Sequence, residues 1–226
     1  MTLNDTRPPI RGVIFDLDGT LLNTLSAIGT AFNEALSEQG WETHSIPAYE
    51  QFIGSGVRVA ATRALPEAGR SDQVIDALVA RQREIHHEIW RNHVSVYEGI
   101  EPLLEYLQAH AIPTAVLTNK DEPAAIECLD HCFPNHSFTA VHGRRDDVPL
   151  KPDPTSAHSV LRAMQCSPET VAMLGDTEVD LETAKAAGMQ RVAVTWGFRS
   201  ERVLLDTGCD ILLHDPLTLI GFLPSS

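Results

Sequence analysis

The sequence predicts an α/β fold, a parallel sheet flanked by helices, with a helical cap domain inserted after the first strand. Three observations predict it. Short apolar runs recur along the chain, and each is continuous rather than alternating, as in strands covered on both faces. Helical patterns separate the later runs, which implies right-handed crossovers between parallel strands. The stretch from about Asn23 to about Val96 carries no convincing strand and is too long for a simple crossover.

The elements follow in order. "GVIFD" (12–16) reads as the first strand. "TLSAIGTAFNEALSEQG" (24–40) and "SDQVIDALVARQREIHHEIWRNH" (71–93) read as helices, with "FIGSGVRVAATRALP" (52–66) between them. "GIEPLLEYLQAHA" (99–111) is a helix before the strand "PTAVLTN" (113–119), and "EPAAIECLDHC" (122–132) a helix after it. "FTAVHG" (138–143) is a weaker strand candidate. "TSAHSVLRAMQ" (155–165) precedes the strand "TVAMLGD" (170–176), and "DLETAKAAG" (180–188) ends in Gly188, a C-terminal helix signal. "RVAVTW" (191–196) and the weaker "CDILL" (209–213) close the series. The expected division is a core of residues 1–22 and 97–226 and a helical cap of residues 23–96. No internal repeat or low-complexity linker interrupts it.

Bulk properties exclude some functions. With 226 residues and 43% hydrophobic content, the chain can bury a real core. Its 17 Lys+Arg against 31 Asp+Glu give a net charge of −14, a poor footprint for nucleic acid or an anionic membrane. No run approaches a membrane span. Met1 to Pro9 is polar, without a secretory core, so a cytoplasmic location with reduced cysteines is expected. Cys128 and Cys132 lie near His131 and His136, but no second ligand pair has zinc-finger spacing, and inert thiols are expected. Oligomeric state stays open between monomer and homodimer.

Ligands of open α/β sheets bind outside the carboxyl ends of the strands, so the strand ends carry the chemistry. The first strand ends in Asp16, Asp18, Gly19 and Thr20. The second ends in Thr118, Asn119 and Lys120, and the third in Gly175 and Asp176, with Asp180 four residues on. Lys151 sits in "PLKPDP" just before a helix. Carboxylates gathered on one rim repel one another and raise each other's pKa. A hard divalent cation such as Mg²⁺, which takes oxygen ligands and retains room for phosphate oxygens, resolves that repulsion. Lysine and hydroxyl donors then suit the phosphate, and the whole set suits phosphoryl transfer. Strand residues two apart share a face, so Asp16 can serve as nucleophile while Asp18 serves as acid and base. Gly19 permits a sharp exit, and Thr20 can hydrogen-bond locally to hold that turn.

Here the chain resembles the haloacid dehalogenase-like superfamily of Mg²⁺-dependent phosphatases, in its phosphoglycolate phosphatase-like branch. Asp16-Leu17-Asp18-Gly19-Thr20 matches DxDGT, Thr118 the strand-ending Thr or Ser, Lys151 the lysine motif in "KPDP", and "GDTEVD" with Asp176 and Asp180 the GDxxxD motif. The resemblance implies a Rossmann-like core and a cap after the first motif. It implies an aspartyl phosphate on Asp16, general acid/base work by Asp18, and phosphate held by Thr118, the amide after it and Lys151. It implies Mg²⁺ held by the Asp16 carboxylate, the Asp18 carbonyl and the Asp176 carboxylate, with Asp180 acting through water or by orienting Lys151. Asn23 stands where the family often has Asp, outside the chemistry.

The expected activity is therefore hydrolysis of a small, phosphoglycolate-like phosphate monoester. A phosphomutase acting on a sugar phosphate, or a phosphometabolite-binding protein without turnover, stays open as an alternative. Dehalogenation is disfavoured, because that chemistry uses no metal and its enzymes lack the second Asp of DxDGT. Thr20, Thr118, Asn119, Lys151 and, from the cap, Arg58 beside Gly54-Ser55-Gly56 are the expected substrate contacts. An ordinary glycine turn competes for that cap loop. His86 and His87 are expected to be solvated, and Trp41, Trp90 and Trp196 to be packing residues.

Overall fold

The computed structural model describes residues 7–224. β1 (Gly12–Phe15) is apolar throughout because both its faces are covered. Val13 and Phe15 join the hydrophobic cluster on one side of the sheet, and Ile14 joins the cluster on the other. The chain then makes a two-residue strand, β2 (Leu22–Asn23), and leaves the sheet.

Three helices follow: α1 (Leu25–Glu38), α2 (Val57–Ala64) and α3 (Asp72–Ile89). They bury a second cluster, built from Phe32, Leu36, Tyr49, Ala60, Leu78 and Ile85 among others, which Phe198 joins from the far end of the chain. Ser71 caps α3 by accepting the Val74 N–H at 3.4 Å. The chain returns through a second two-residue strand, β3 (Ser95–Val96), which pairs antiparallel with β2, Leu22 opposite Val96 and Asn23 opposite Ser95. Neither strand leaves a periodic signal in the sequence, since each is only two residues long.

The remainder alternates as expected. α4 (Ile100–Ala109), β4 (Thr114–Asp121), α5 (Glu122–Cys132), β5 (Ala140–Arg144), α6 (Thr155–Met164), β6 (Val171–Gly175), α7 (Glu178–Ala187), β7 (Gln190–Val194), α8 (Glu201–Thr207) and β8 (Ile211–Leu213) follow in turn. Six strands form one parallel sheet in the order β5-β4-β1-β6-β7-β8. Leu103, Leu107 and Leu129 of α4 and α5 cover one face, and Val160, Leu161 and Ala184 of α6 and α7 the other. The expected α/β class therefore holds, and both weaker strand candidates are real. α8 and the 3₁₀ turn Pro216–Phe222 lie beyond the helices read from sequence. Among the described residues, no helix is long and apolar enough to cross a membrane.

The order fixes where a site can form. β1 is central, with β4 on one side and β6 on the other. The crevice at the carboxyl ends of these three strands is the topological switch point, the usual ligand position in such sheets.

Candidate active site

Asp16 leaves the end of β1 buried, 7% exposed, with its backbone N–H donating to Leu174 O of β6 at 2.9 Å. Its side chain faces Lys151, whose Nζ donates to Asp16 Oδ1 at 2.9 Å, Asp180 Oδ1 at 2.6 Å and Leu117 O at 2.9 Å. Lys151 is buried rather than the solvated surface lysine its local sequence would suggest. Burial alone would push its ammonium pKa down, and Asp16 and Asp180 outweigh that and hold it raised.

Asp180 is bound on both oxygens. Oδ1 takes Lys151, while Oδ2 accepts the Thr177 backbone N–H at 3.1 Å and its hydroxyl at 2.7 Å. This is the capping box that starts α7, so the residue that caps the helix also aims the lysine. Asp176, fully buried, accepts the Thr20 hydroxyl at 3.1 Å and the Phe198 N–H at 2.8 Å. Thr20 thus reaches across to β6 instead of bonding within its own turn. It is wholly buried with its hydroxyl committed to Asp176, so it braces that carboxylate in place of the expected substrate contact. The backbone must pass very close here. Gly19 has φ +92°, and a Cβ on it would lie 2.3 Å from Asp176 Oδ2. A Cβ on Gly197 would lie 2.2 Å from Asp176 Cβ and 2.4 Å from Gly19 O.

Oxygens of Asp16, Asp176 and Asp180 come within 4.8 Å of one another. Burial first, then Lys151 lowering and Asp180 raising, leaves the Asp16 carboxyl pushed up to about 7. Asp176 is raised well above its ordinary range by burial and by its two acidic neighbours. Three buried carboxylates and one ammonium leave net negative charge that protons must otherwise absorb. An all-oxygen, anionic pocket of this kind fits a hard divalent cation.

Asp18 lies beyond the strand and pairs with Lys120 Nζ at 3.2 Å. Burial disfavours the Lys120 ammonium, yet Asp18 outweighs it and its pKa is raised. Lys120 stands in the second strand-end motif, and only its partner was hidden from the sequence. Thr118 lines the cavity, and its hydroxyl accepts the Lys120 N–H at 3.2 Å. Asn119 is committed elsewhere. Its Oδ1 accepts the Lys151 N–H at 2.9 Å and its Nδ2 donates to Lys151 O at 3.2 Å and Gly54 O at 3.1 Å. Its side chain fastens β4 to the lysine loop and to the helical layer, while the residue itself still lines the cavity beside Thr118.

From the helical layer, Gly54, Gly56 and Val57 line the cavity, while Arg58 does not. Its side chain is about half exposed and pairs with Asp72 at 2.5 Å and with Asp76 on the outer surface, which removes it from the expected substrate contacts. His86, expected in solvent, instead lines the cavity with Nε2 buried and without a protein hydrogen-bond partner. His87 is exposed as expected. Trp90 is a core residue, and Trp196 donates its Nε1–H to Thr20 O at 3.0 Å. Arg199, buried after β7, has no counterpart in the sequence reading. It donates to Ile53 O at 2.9 Å and to Glu50 O, and pairs with Glu178 at 2.9 Å, tying the sheet to the 50–53 loop. The thiols of Cys128, Cys132, Cys166 and Cys209 are free.

Comparison with known proteins gives a consistent picture. A family profile described as haloacid dehalogenase-like hydrolase matches residues 13–194. A phosphoglycolate phosphatase of Yersinia pestis is 30% identical over 223 residues, 96% of this chain and 95% of that protein. One of Cereibacter sphaeroides is 33% identical over 195 residues, covering 83% and 86%. A solved haloacid dehalogenase-like family hydrolase from Streptococcus pneumoniae superposes with a TM-score of 0.84 at 27% identity, covering 94% of this chain and 98% of that one. A solved structure from Lactobacillus delbrueckii subsp. bulgaricus reaches a TM-score of 0.90 at 24% identity, covering 96% and 100%, and shares the fold.

Proposed function

The chain belongs to the haloacid dehalogenase-like hydrolases, and from that membership we propose that it is a Mg²⁺-dependent phosphatase working through a phosphorylated Asp16. The enzyme class, a phosphoric monoester hydrolase, follows from the family and from the phosphatases it resembles over most of its length. The observation that carries the mechanism is the buried Asp16–Lys151–Asp180 chain beside Asp176 at the switch point.

Each residue then has a task. Asp16 attacks phosphorus, forming the aspartyl phosphate as the bond to the leaving oxygen breaks. Asp18 gives its proton to that oxygen, then takes one from the water that attacks phosphorus and frees Asp16. Lys120, 3.2 Å from Asp18 Oδ1, fixes the position of that side chain at the cavity wall. Thr118, the amide after it and Lys151 hold the phosphate oxygens, with Lys151 fixed by Asp180. The Asp16 and Asp176 carboxylates and the Asp18 carbonyl would hold the cation. Once bound, it favours the ionised form of Asp16 and neutralises charge on the phosphoryl oxygens. Residues 23–96 serve as a cap that excludes bulk water during the reaction, over a core of residues 1–22 and 97–226.

The test is release of free phosphate from a panel of small esters, with and without Mg²⁺. The names of the relatives put 2-phosphoglycolate first on it. Mg²⁺-dependent release that disappears in Asp16→Asn is expected. Release that persists in Asp16→Asn would refute the nucleophile. Isomerised ester without free phosphate would mark a mutase.

A further inference from the structure

Beyond the strand ends, the cavity continues between the sheet and the helical layer. Its volume of about 370 Å³ falls in the range of about 300–1,000 Å³ typical of ligand sites, ample for more than a two-carbon acid. Its far walls are apolar, formed by Ile28, Phe32, Ile53, Val57 and Trp90.

The charges along it are already engaged. Lys120 faces Asp18 at 3.2 Å, and Arg83 faces Asp121 at 2.7 Å. The lining carboxylates are paired in the same way: Asp16 with Lys151, Asp18 with Lys120, Asp121 with Arg83 and Arg144, and Glu127 with Arg91. A second anionic group on a substrate would therefore enter a largely apolar space whose cations are already paired with carboxylates, an expensive burial.

One polar group on the apolar wall does lack a partner. Nε2 of His86 is buried in α3 without a protein hydrogen bond. Burial first, then the nearby Lys120, pushes the imidazole pKa down to about 4, so it is neutral at physiological pH. Gln82, buried and one helical turn earlier, lines the same cavity. A neutral imidazole nitrogen is a donor in one tautomer and an acceptor in the other, and a hydroxyl satisfies either. A buried polar atom left unsatisfied is costly, which favours a ligand that satisfies it.

We propose that this cavity takes the phosphate ester of an uncharged, hydroxyl-bearing alcohol with apolar bulk, and that His86 recognises the hydroxyl. The inference rests on the phosphatase reading and narrows its substrate: the part beyond the phosphate is neutral, in contrast to glycolate.

Two nearly isosteric esters test it, 4-(hydroxymethyl)phenyl phosphate and 4-carboxyphenyl phosphate, with phenyl phosphate and 2-phosphoglycolate alongside. The hydroxymethyl ester should exceed the carboxyl ester in kcat/KM by about tenfold or more, the scale of one satisfied hydrogen bond against one unpaired buried charge. In His86→Ala, the ratio of kcat/KM for the hydroxymethyl ester over phenyl phosphate should fall by about tenfold, mainly through KM, and His86→Gln should restore part of it. A preference for 4-carboxyphenyl phosphate or 2-phosphoglycolate, or an unchanged ratio in both variants, would overturn the inference while leaving the phosphatase intact. No phosphate release from any of the four esters would overturn both.

Discussion

Lys151→Met removes an ammonium that is 3% exposed and leaves its three acceptors behind. Asp16, Asp176 and Asp180 then share a buried space without a cation. Breaking a buried ion pair from one side costs about 3–5 kcal/mol. For a chain of this size that lowers Tm by roughly 6–20 °C, at about 2–4 °C per kcal/mol. Asp16 can soften the loss by taking up a proton. Lys151 holds its carboxyl down against burial, so without the lysine the carboxyl rises further above about 7. At pH 6 the variant already carries that proton, whereas at pH 8 it must either bury the charge or bind a proton against the gradient. The loss should therefore be larger at pH 8 than at pH 6. Scanning calorimetry in EDTA reads it directly, with no metal to substitute for the lysine. A fall in Tm below about 2 °C at pH 8, or one no larger than at pH 6, would refute this account of the cluster.

Three further outcomes follow from the same geometry. In chelator, the wild-type protein should lose stability as pH rises from about 4 towards about 7. Asp16 is raised from 3.8 to about 7 and Asp176 is raised too, so the folded state binds more protons than the unfolded chain across that window; Mg²⁺, which competes with those protons, should flatten or invert the trend in thermal melts. Gly197→Ala should cut kcat by at least about tenfold, because its Cβ would displace Asp176, while an unchanged kcat would mean that Asp176 tolerates the shift. Arg199→Met should speed hydrogen exchange of the 50–56 segment by about tenfold or more, since hydrogen bonds to a charged donor are worth about 1.5–3 kcal/mol, whereas unchanged exchange would show that other contacts hold the segment.

Much of this was legible from residues alone, because buried parallel strands need uninterrupted apolar runs and leave their functional groups at the ends. GVIF, TAVLTN and VAMLG announce both the sheet and the positions of Asp16, Thr118 and Asp176. What escaped depends on side-chain direction rather than residue type. Thr20 points across to Asp176 and Asn119 back to Lys151, although both carry donors suited to phosphate. Arg58 sits one residue past the cavity-lining Val57, but successive helical residues point about a quarter-turn apart, and it lands on the outer acidic face. His86 and His87 differ in the same way, one inside and one out. Arg199 follows its strand at a distance that no motif marks.

The antiparallel β2–β3 pair brings residues far apart in sequence to opposite rungs of one ladder. Paired Cα atoms in such a ladder lie about 4.5–5.5 Å apart. The core therefore experiences the whole intervening segment as if it were a single hairpin turn. A tight Asn-Gly connection between Asn23 and Ser95 would span the same gap. By this geometry, segments of quite different length and shape could be spliced into the same two rungs without altering the register of the six-stranded sheet below.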